Sequence, residues 1–125
     1  MDATRFADDG LGGVTHLTLE GNTLEEIAPR AFVKLTSLQA LNIDDNRLEF
    51  IGTQTFEGLF NLRRLSLKGN PISAIAPQAF ASLKRLEELN LGCHVNLTRD
   101  GQQASWGLND SVVVRHFSEQ FSECG

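Results

Sequence analysis

The chain is expected to fold as an α/β solenoid. It should be a short right-handed horseshoe with a parallel concave sheet, short helical turns on the convex side and a C-terminal cap. Two observations predict this. One phrase recurs at a fixed interval: Val14-Thr15-His16-Leu17-Thr18-Leu19-Glu20-Gly21-Asn22 returns as Leu38 to Asn46 and again as Leu62 to Asn70, and Leu86 to Leu91 begins a fourth copy. Leu17, Leu41, Leu65 and Leu89 are each 24 positions apart. The stretch between phrases repeats as well, with Leu24/Leu48/Ile72, Ile27/Ile51/Ile75, Phe32/Phe56/Phe80 and Leu35/Leu59/Leu83 in matching places. A period of roughly 20 to 29 residues built on L-x-x-L-x-L-x-x-N means one supersecondary unit stacked on itself, because no single unit can bury its apolar face alone.

The organisation follows from that period. Residues 1–13 form an N-terminal edge, 14–91 the repeats (14–37, 38–61, 62–85 and the start of 86–109), and 92–125 an aberrant last repeat with a C-terminal cap. At the edge, Asp8-Asp9-Gly10 and Gly12-Gly13 are turn signals, and Phe6 and Leu11 are the apolar groups available to cover the open core of the first repeat. Each phrase should open with a short strand. Alternation then turns Leu17 and Leu19 inward and His16, Thr18 and Glu20 outward. Asn22, Asn46 and Asn70 close the strands at equivalent points, where an amide can donate to and accept from backbone groups of adjacent coils. On the return, Ile27-Ala28-Pro29-Arg30-Ala31-Phe32 and its near copy Ile75 to Phe80 suit a helical turn opened by proline. Phe32, Phe56 and Phe80 should stack as an inner spine.

The pattern fails after Leu91: His94 stands where the ladder expects Asn, and Ala104 where the spine expects Phe. Such departure in a terminal copy marks a cap, and Trp106 is expected over the open end of the last full repeat. Val112 to Val114 reads as a fifth parallel strand by β-branching. Val114, Phe117, Phe121 and Cys124 instead show helical spacing, with Asp110 or Ser111 as cap. A short strand or turn leading into a helix accommodates both.

Composition narrows the function. The 125 residues make one domain, and a net charge of −5 argues against nucleic-acid binding, which wants a basic face. No apolar run approaches the length of a membrane span. Met1-Asp2-Ala3-Thr4-Arg5 has no leader character, so the chain reads either as cytosolic or as a mature segment headed by a start methionine. Cys93 and Cys124 bracket the aberrant segment and are expected to pair, closing a loop worth on the order of 3 kcal/mol. Two buried thiols are the alternative. A zinc site with His94 and His116 lacks convincing spacing. Asn96-Leu97-Thr98 and Asn109-Asp110-Ser111 match the glycosylation pattern.

The repeats resemble the extracellular, 24-residue class of the leucine-rich repeat family, which includes receptor ectodomains, matrix proteoglycans and variable lymphocyte receptors. Cys93, Trp106 and Cys124 match part of the disulfide-bonded C-terminal caps of that class, which usually carry four cysteines; its N-terminal cysteine cap has no counterpart here. The resemblance implies a secreted or cell-surface module, so the mature-segment reading is favoured over the cytosolic one.

No catalytic constellation is present. Gly10-Leu11-Gly12-Gly13 precedes a strand where a phosphate loop would follow one, and the three histidines are scattered. Asn42, Asp44, Asp45 and Asn46 lack the glycine and distal glutamate of a calcium loop. Neither enzyme nor cofactor nor metal is therefore expected. What remains is the concave face, whose outward columns read His16-Ala40-Arg64-Glu88, Thr18-Asn42-Ser66-Asn90 and Glu20-Asp44-Lys68-Gly92, with Asp45 beside the last. Glu20, Asp44 and Asp45 make an acidic patch opposed by Arg64 and Lys68. The reading is a monomeric recognition module, in immune or receptor-type recognition, that docks a protein or microbial-surface ligand carrying cationic groups. A structural or adhesion module is the alternative.

Overall fold

The computed structural model describes residues 11–92, 105–109 and 111–116. Phe6, Cys93, His94, Asn96, Asp110, Phe117, Phe121 and Cys124 therefore lie outside the described residues, and with them the expected disulfide, one sequon and the expected C-terminal helix.

Among the described residues, seven short strands follow a 3-10 turn at Leu11–Gly13: β1 (His16–Thr18), β2 (Ala40–Asn42), β3 (Phe50–Ile51), β4 (Arg64–Ser66), β5 (Ala74–Ile75), β6 (Glu88–Gly92) and β7 (Val113–His116). They form two parallel sheets. The larger has the order β1-β2-β4-β6-β7 and the smaller pairs β3 with β5. Register in the larger sheet follows the sequence period, with His16 opposite Ala40, Ala40 opposite Arg64 and Arg64 opposite Glu88. Each coil thus adds one strand, and one face of the sheet closes over the core.

That core is a set of columns running through the coils. Leu19, Ile43, Leu67 and Leu91 are fully buried beneath the sheet, and Leu41, Leu65 and Leu89 nearly so. Phe32 and Phe56 stack with ring centroids 6.2 Å apart, and Phe56 and Phe80 at 5.9 Å. Trp106 continues the spine two positions beyond Ala104: its ring meets Phe80 edge-on at 5.9 Å and its carbonyl accepts the Phe80 amide at 2.9 Å. At 2% exposure, the indole seals the last full repeat. Leu11 and Val14 pack partly buried against the other end.

The convex side differs in detail from a row of helices. Its coils turn through successive i to i+3 bonds, such as Ala31 N to Ala28 O, Val33 N to Arg30 O and Leu35 N to Phe32 O, so each is a single tight turn. Beside these turns, β3 and β5 add a two-residue parallel ladder that period counting does not reveal. Val113 to His116 takes the strand alternative, pairing with β6 as the fifth concave strand.

The asparagine ladder carries the corner opposite the spine. Asn70 Nδ2 donates to Ile43 O at 2.9 Å and Leu67 O at 3.0 Å, while its Oδ1 accepts from Leu48 N at 3.1 Å. Asn46 repeats the arrangement one coil earlier, to Leu19 O, Ile43 O and Leu24 N. Asn22, with no coil described before it, keeps only the bond to Leu19 O at 2.8 Å.

Candidate functional site: the concave face

Strand pairing brings the outward residues of five coils onto one curved surface. A concavity of about 610 Å³ opens there, lined by nine of the eleven residues the sequence picks out, together with Leu17, Ala40, Leu41 and Leu65. Glu20 and Asp45 lie outside its lining.

The middle column is less free than its polarity suggests. Thr18 Oγ1 accepts from Glu20 N at 3.3 Å, Asn42 Oδ1 from Asp44 N at 2.8 Å and Asn90 Oδ1 from Gly92 N at 3.0 Å. In each case a strand-end side chain caps the amide two residues on, which ends the strand at a defined place. The third coil solves the problem differently. Its Lys68 amide donates at 2.8 Å to Asp44 Oδ1 of the preceding coil, and the same oxygen accepts from Ser66 Oγ at 2.6 Å.

Asp44 is therefore not an exposed member of an acidic patch. It is 7% exposed and its carboxylate joins two coils. Parity along the strand places it outward, but proximity to the next coil's amide covers it. Among the described residues, the exposed acids left in that patch are Glu20, which also accepts from Asn42 Nδ2 at 3.4 Å, and Asp45. Asp45 has φ of +59° in a position where the first and third coils place Gly21 and Gly69. It is exposed, and its carboxylate overlies Gly69, where a Cβ would come within 2.1 Å of Asp45 Oδ1.

The C-terminal half gains a group that sequence reasoning missed. Arg115 enters the face opposite Asn90, and its Nε lies 2.6 Å from Glu88 Oε2. This half-exposed pair is worth under about 1 kcal/mol in stability, but it fixes where Glu88 points its charge. Among the described residues Arg64 and Lys68, both exposed, carry no ion pair, whereas Arg63 on the flank is bound to Glu87 at 2.7 Å. The β-branched run before Arg115 was the one signal for this strand. His16 is exposed, with Nδ1 3.0 Å from Thr15 Oγ1. The sequon residue Asn109 is exposed, and its Nδ2 donates to Lys84 O at 3.0 Å. No group of three metal-ligating side chains occurs among the described residues. Nor is any helix among them long and apolar enough to cross a membrane.

A stack of coils with a parallel concave sheet, an inner phenylalanine spine and an asparagine corner defines a solenoid whose exposed product is one continuous curved face. The leucine rich repeat model matches residues 6–48 and 36–93, more than half of the chain, and the chain belongs to that family. No curated protein sequence matches it. Solved structures do. A TLR13–ssRNA13 complex aligns with a TM-score of 0.72 at 28% identity over 82% of this chain and 14% of that one. Human 5T4 (Wnt-activated inhibitory factor 1, trophoblast glycoprotein) aligns with a TM-score of 0.75 at 29% identity over 96% of this chain and 48% of that one. The Drosophila Toll–Spatzle complex, in its glycosylated form, aligns at 0.70 and 22% over 86% and 16%, a likeness of fold. The chain thus spans less than half the length of each of these proteins.

Proposed function

We propose that this chain is a non-enzymatic recognition module of receptor type, acting in host defence at the extracellular face of the cell or in secretion, and that it docks a protein or microbial-surface ligand in its concave face. One observation carries the reading: a single concavity gathers polar side chains from four successive coils, and those side chains are not needed to bury the core. Residues such as Lys68 and Arg64 contribute nothing to the apolar interior, so their alignment is available for a partner. The likeness to TLR13 and 5T4 supports a module that works through its surface. TLR13 is solved with an RNA. Here a net charge of −5, and Arg64 and Lys68 as the unpaired concave cations among the described residues, favour a protein over a polyanion.

Glu20 on the first coil and Asp45, whose carboxylate overlies Gly69, offer two exposed carboxylates to a cationic group of the ligand. Screening shortens their reach to about 10 Å at 0.1 M salt, so their contribution fades as salt rises. Pairing of Cys93 with Cys124, and glycan at Asn96 or Asn109, belong to the same extracellular reading and are checked by intact mass with and without reductant. The module is taken as a monomer.

Capture tests the proposal. Immobilised protein is exposed to solubilised microbial cell wall and, separately, to matrix extract. Concave variants Asn42→Ala and Lys68→Ala are compared with Lys84→Ala, an exposed residue outside the lining of the concavity. Loss confined to the concave variants supports the reading, and capture from matrix alone moves the assignment to adhesion. The double variant Glu20→Ala/Asp45→Ala should lose more at low salt than at high salt. Equal capture by it at every salt concentration removes those two acids from the interface.

A further inference from the structure

The outer concave column contains one conspicuous gap. It runs His16, Ala40, Arg64, Glu88, Val113 across five paired strands, and only Ala40 lacks a side chain able to rise from the sheet. Ala40 is itself half-buried and lines the concavity, so the surface dips there between two taller neighbours. Strands lie about 4.8 Å apart, which sets His16 and Arg64 roughly 10 Å from each other across the dip. Side chains of that length converge on a small group placed between them.

Both walls have hydrogen-bonding capacity to spare. The Thr15 hydroxyl takes up His16 Nδ1 at 3.0 Å, which leaves Nε2 for another partner. Arg64 has five N–H donors and, among the described residues, no anion to receive them. Its in-register neighbour Glu88 is held by Arg115 at 2.6 Å. Two residues beyond β4 and in the lining of the same concavity, Lys68 adds a second cation with no ion pair among the described residues. Asp44, which also lines the concavity, is buried, and its carboxylate accepts from the Ser66 hydroxyl and the Lys68 amide.

We propose that the dip over Ala40, walled by His16 and Arg64, seats an aspartate or glutamate side chain of a protein ligand. The proposal rests on the concave face being the docking surface and names the anchor within it. A guanidinium donates two parallel hydrogen bonds to a carboxylate, which gives direction as well as charge. A sulfated polysaccharide suits the face less well, because Glu20, Asp45 and the overall charge of −5 repel an extended polyanion while tolerating one acidic side chain. A ligand that presents its acid here and a basic group toward Glu20 and Asp45 meets both halves of the face.

Amide NMR of the full chain is the test. The probes are a short, terminally blocked peptide bearing one glutamate, the same peptide with glutamine or with lysine in its place, and a sulfated oligosaccharide. The glutamate peptide at millimolar concentration should give saturable shifts at Ala40, Leu41 and Arg64. Glutamine in the peptide, Arg64→Gln in the protein, or Ala40→Leu filling the dip should each weaken binding about tenfold, while Lys84→Gln leaves it unchanged. Equal binding of the glutamine peptide, an unaffected Arg64→Gln protein, tighter binding of the lysine peptide at these amides, or no saturable shift overturns the seat. So does binding of the oligosaccharide alone. Concave shifts that persist through all those changes leave the docking surface standing without its anchor; shifts confined to return-side amides remove both.

Discussion

Asn70→Ala should be far more damaging than Asn22→Ala, although the two residues occupy the same place in their repeats. The difference follows from which backbone groups each change strands. Without the Asn70 amide, Leu48 N loses its acceptor, and Leu67 O loses the partner that reaches it at 3.0 Å; among the described residues neither has a substitute. Ile43 O keeps Asn46, and Lys68 O keeps the Asp45 amide, so those two do not count. Two buried polar groups stranded at about 1–3 kcal/mol each, plus the space left by the amide, give a loss of about 3–5 kcal/mol. Asn22→Ala strands nothing, since Leu19 O keeps its bond from Asn46 at 3.0 Å, and should cost under about 1 kcal/mol. Asn46→Ala falls between them, because it strands only Leu24 N. Urea unfolding at equilibrium reads all three, and a common m-value shows that the same cooperative unit is being measured. Equal losses for Asn70→Ala and Asn22→Ala would show that the ladder's energy is not set by orphaned groups, and the bookkeeping above would be wrong.

Three further outcomes are expected. Phe56→Ala, which empties the middle of the phenylalanine spine at 0% exposure, should cost about 3–5 kcal/mol by denaturant titration, and Phe56→Leu clearly less. Asp44→Ala should destabilise by about 2 kcal/mol through the stranded Lys68 amide, while Asp44→Asn, which retains an acceptor, costs less; a stability-neutral Asp44→Ala would return this residue to the ligand-facing set. Asp45→Gly should raise the midpoint of thermal unfolding, because glycine relieves a φ of +59° worth about 1 kcal/mol, and should at the same time weaken capture of a cationic ligand at low salt.

How much of this was legible in the sequence depends on whether a property repeats. The strands, their parallel order and their register could be read from Leu17, Leu41, Leu65 and Leu89, because a constant step of 24 residues maps each position onto its neighbour in the sheet. The inner columns were legible for the same reason. The fifth strand resisted because the step changes: Glu88 pairs with Val113, 25 residues on. A count by 24 would turn Val112 and Val114 outward. The actual register turns Val113 and Arg115 outward, which brings an arginine onto the face and ties up Glu88.

Asp44 shows the other limit. Period and parity report the direction of a side chain, not the length of the gap it faces. The first and second coils cap their own strand-end amides with Thr18 and Asn42. Ser66 does not cap Lys68; its hydroxyl turns to Asp44, whose carboxylate then reaches across to the uncapped amide. A serine in place of the preceding asparagine thus decides the fate of an acid 22 residues earlier. That acid is held by the scaffold in the lining of the concavity, where Arg64 and Lys68 stand as cations with no ion pair among the described residues. Under the docking proposed above, exposed acids at Glu20 and Asp45 and unpaired cations at Arg64 and Lys68 favour a partner that carries both signs of charge in the matching order.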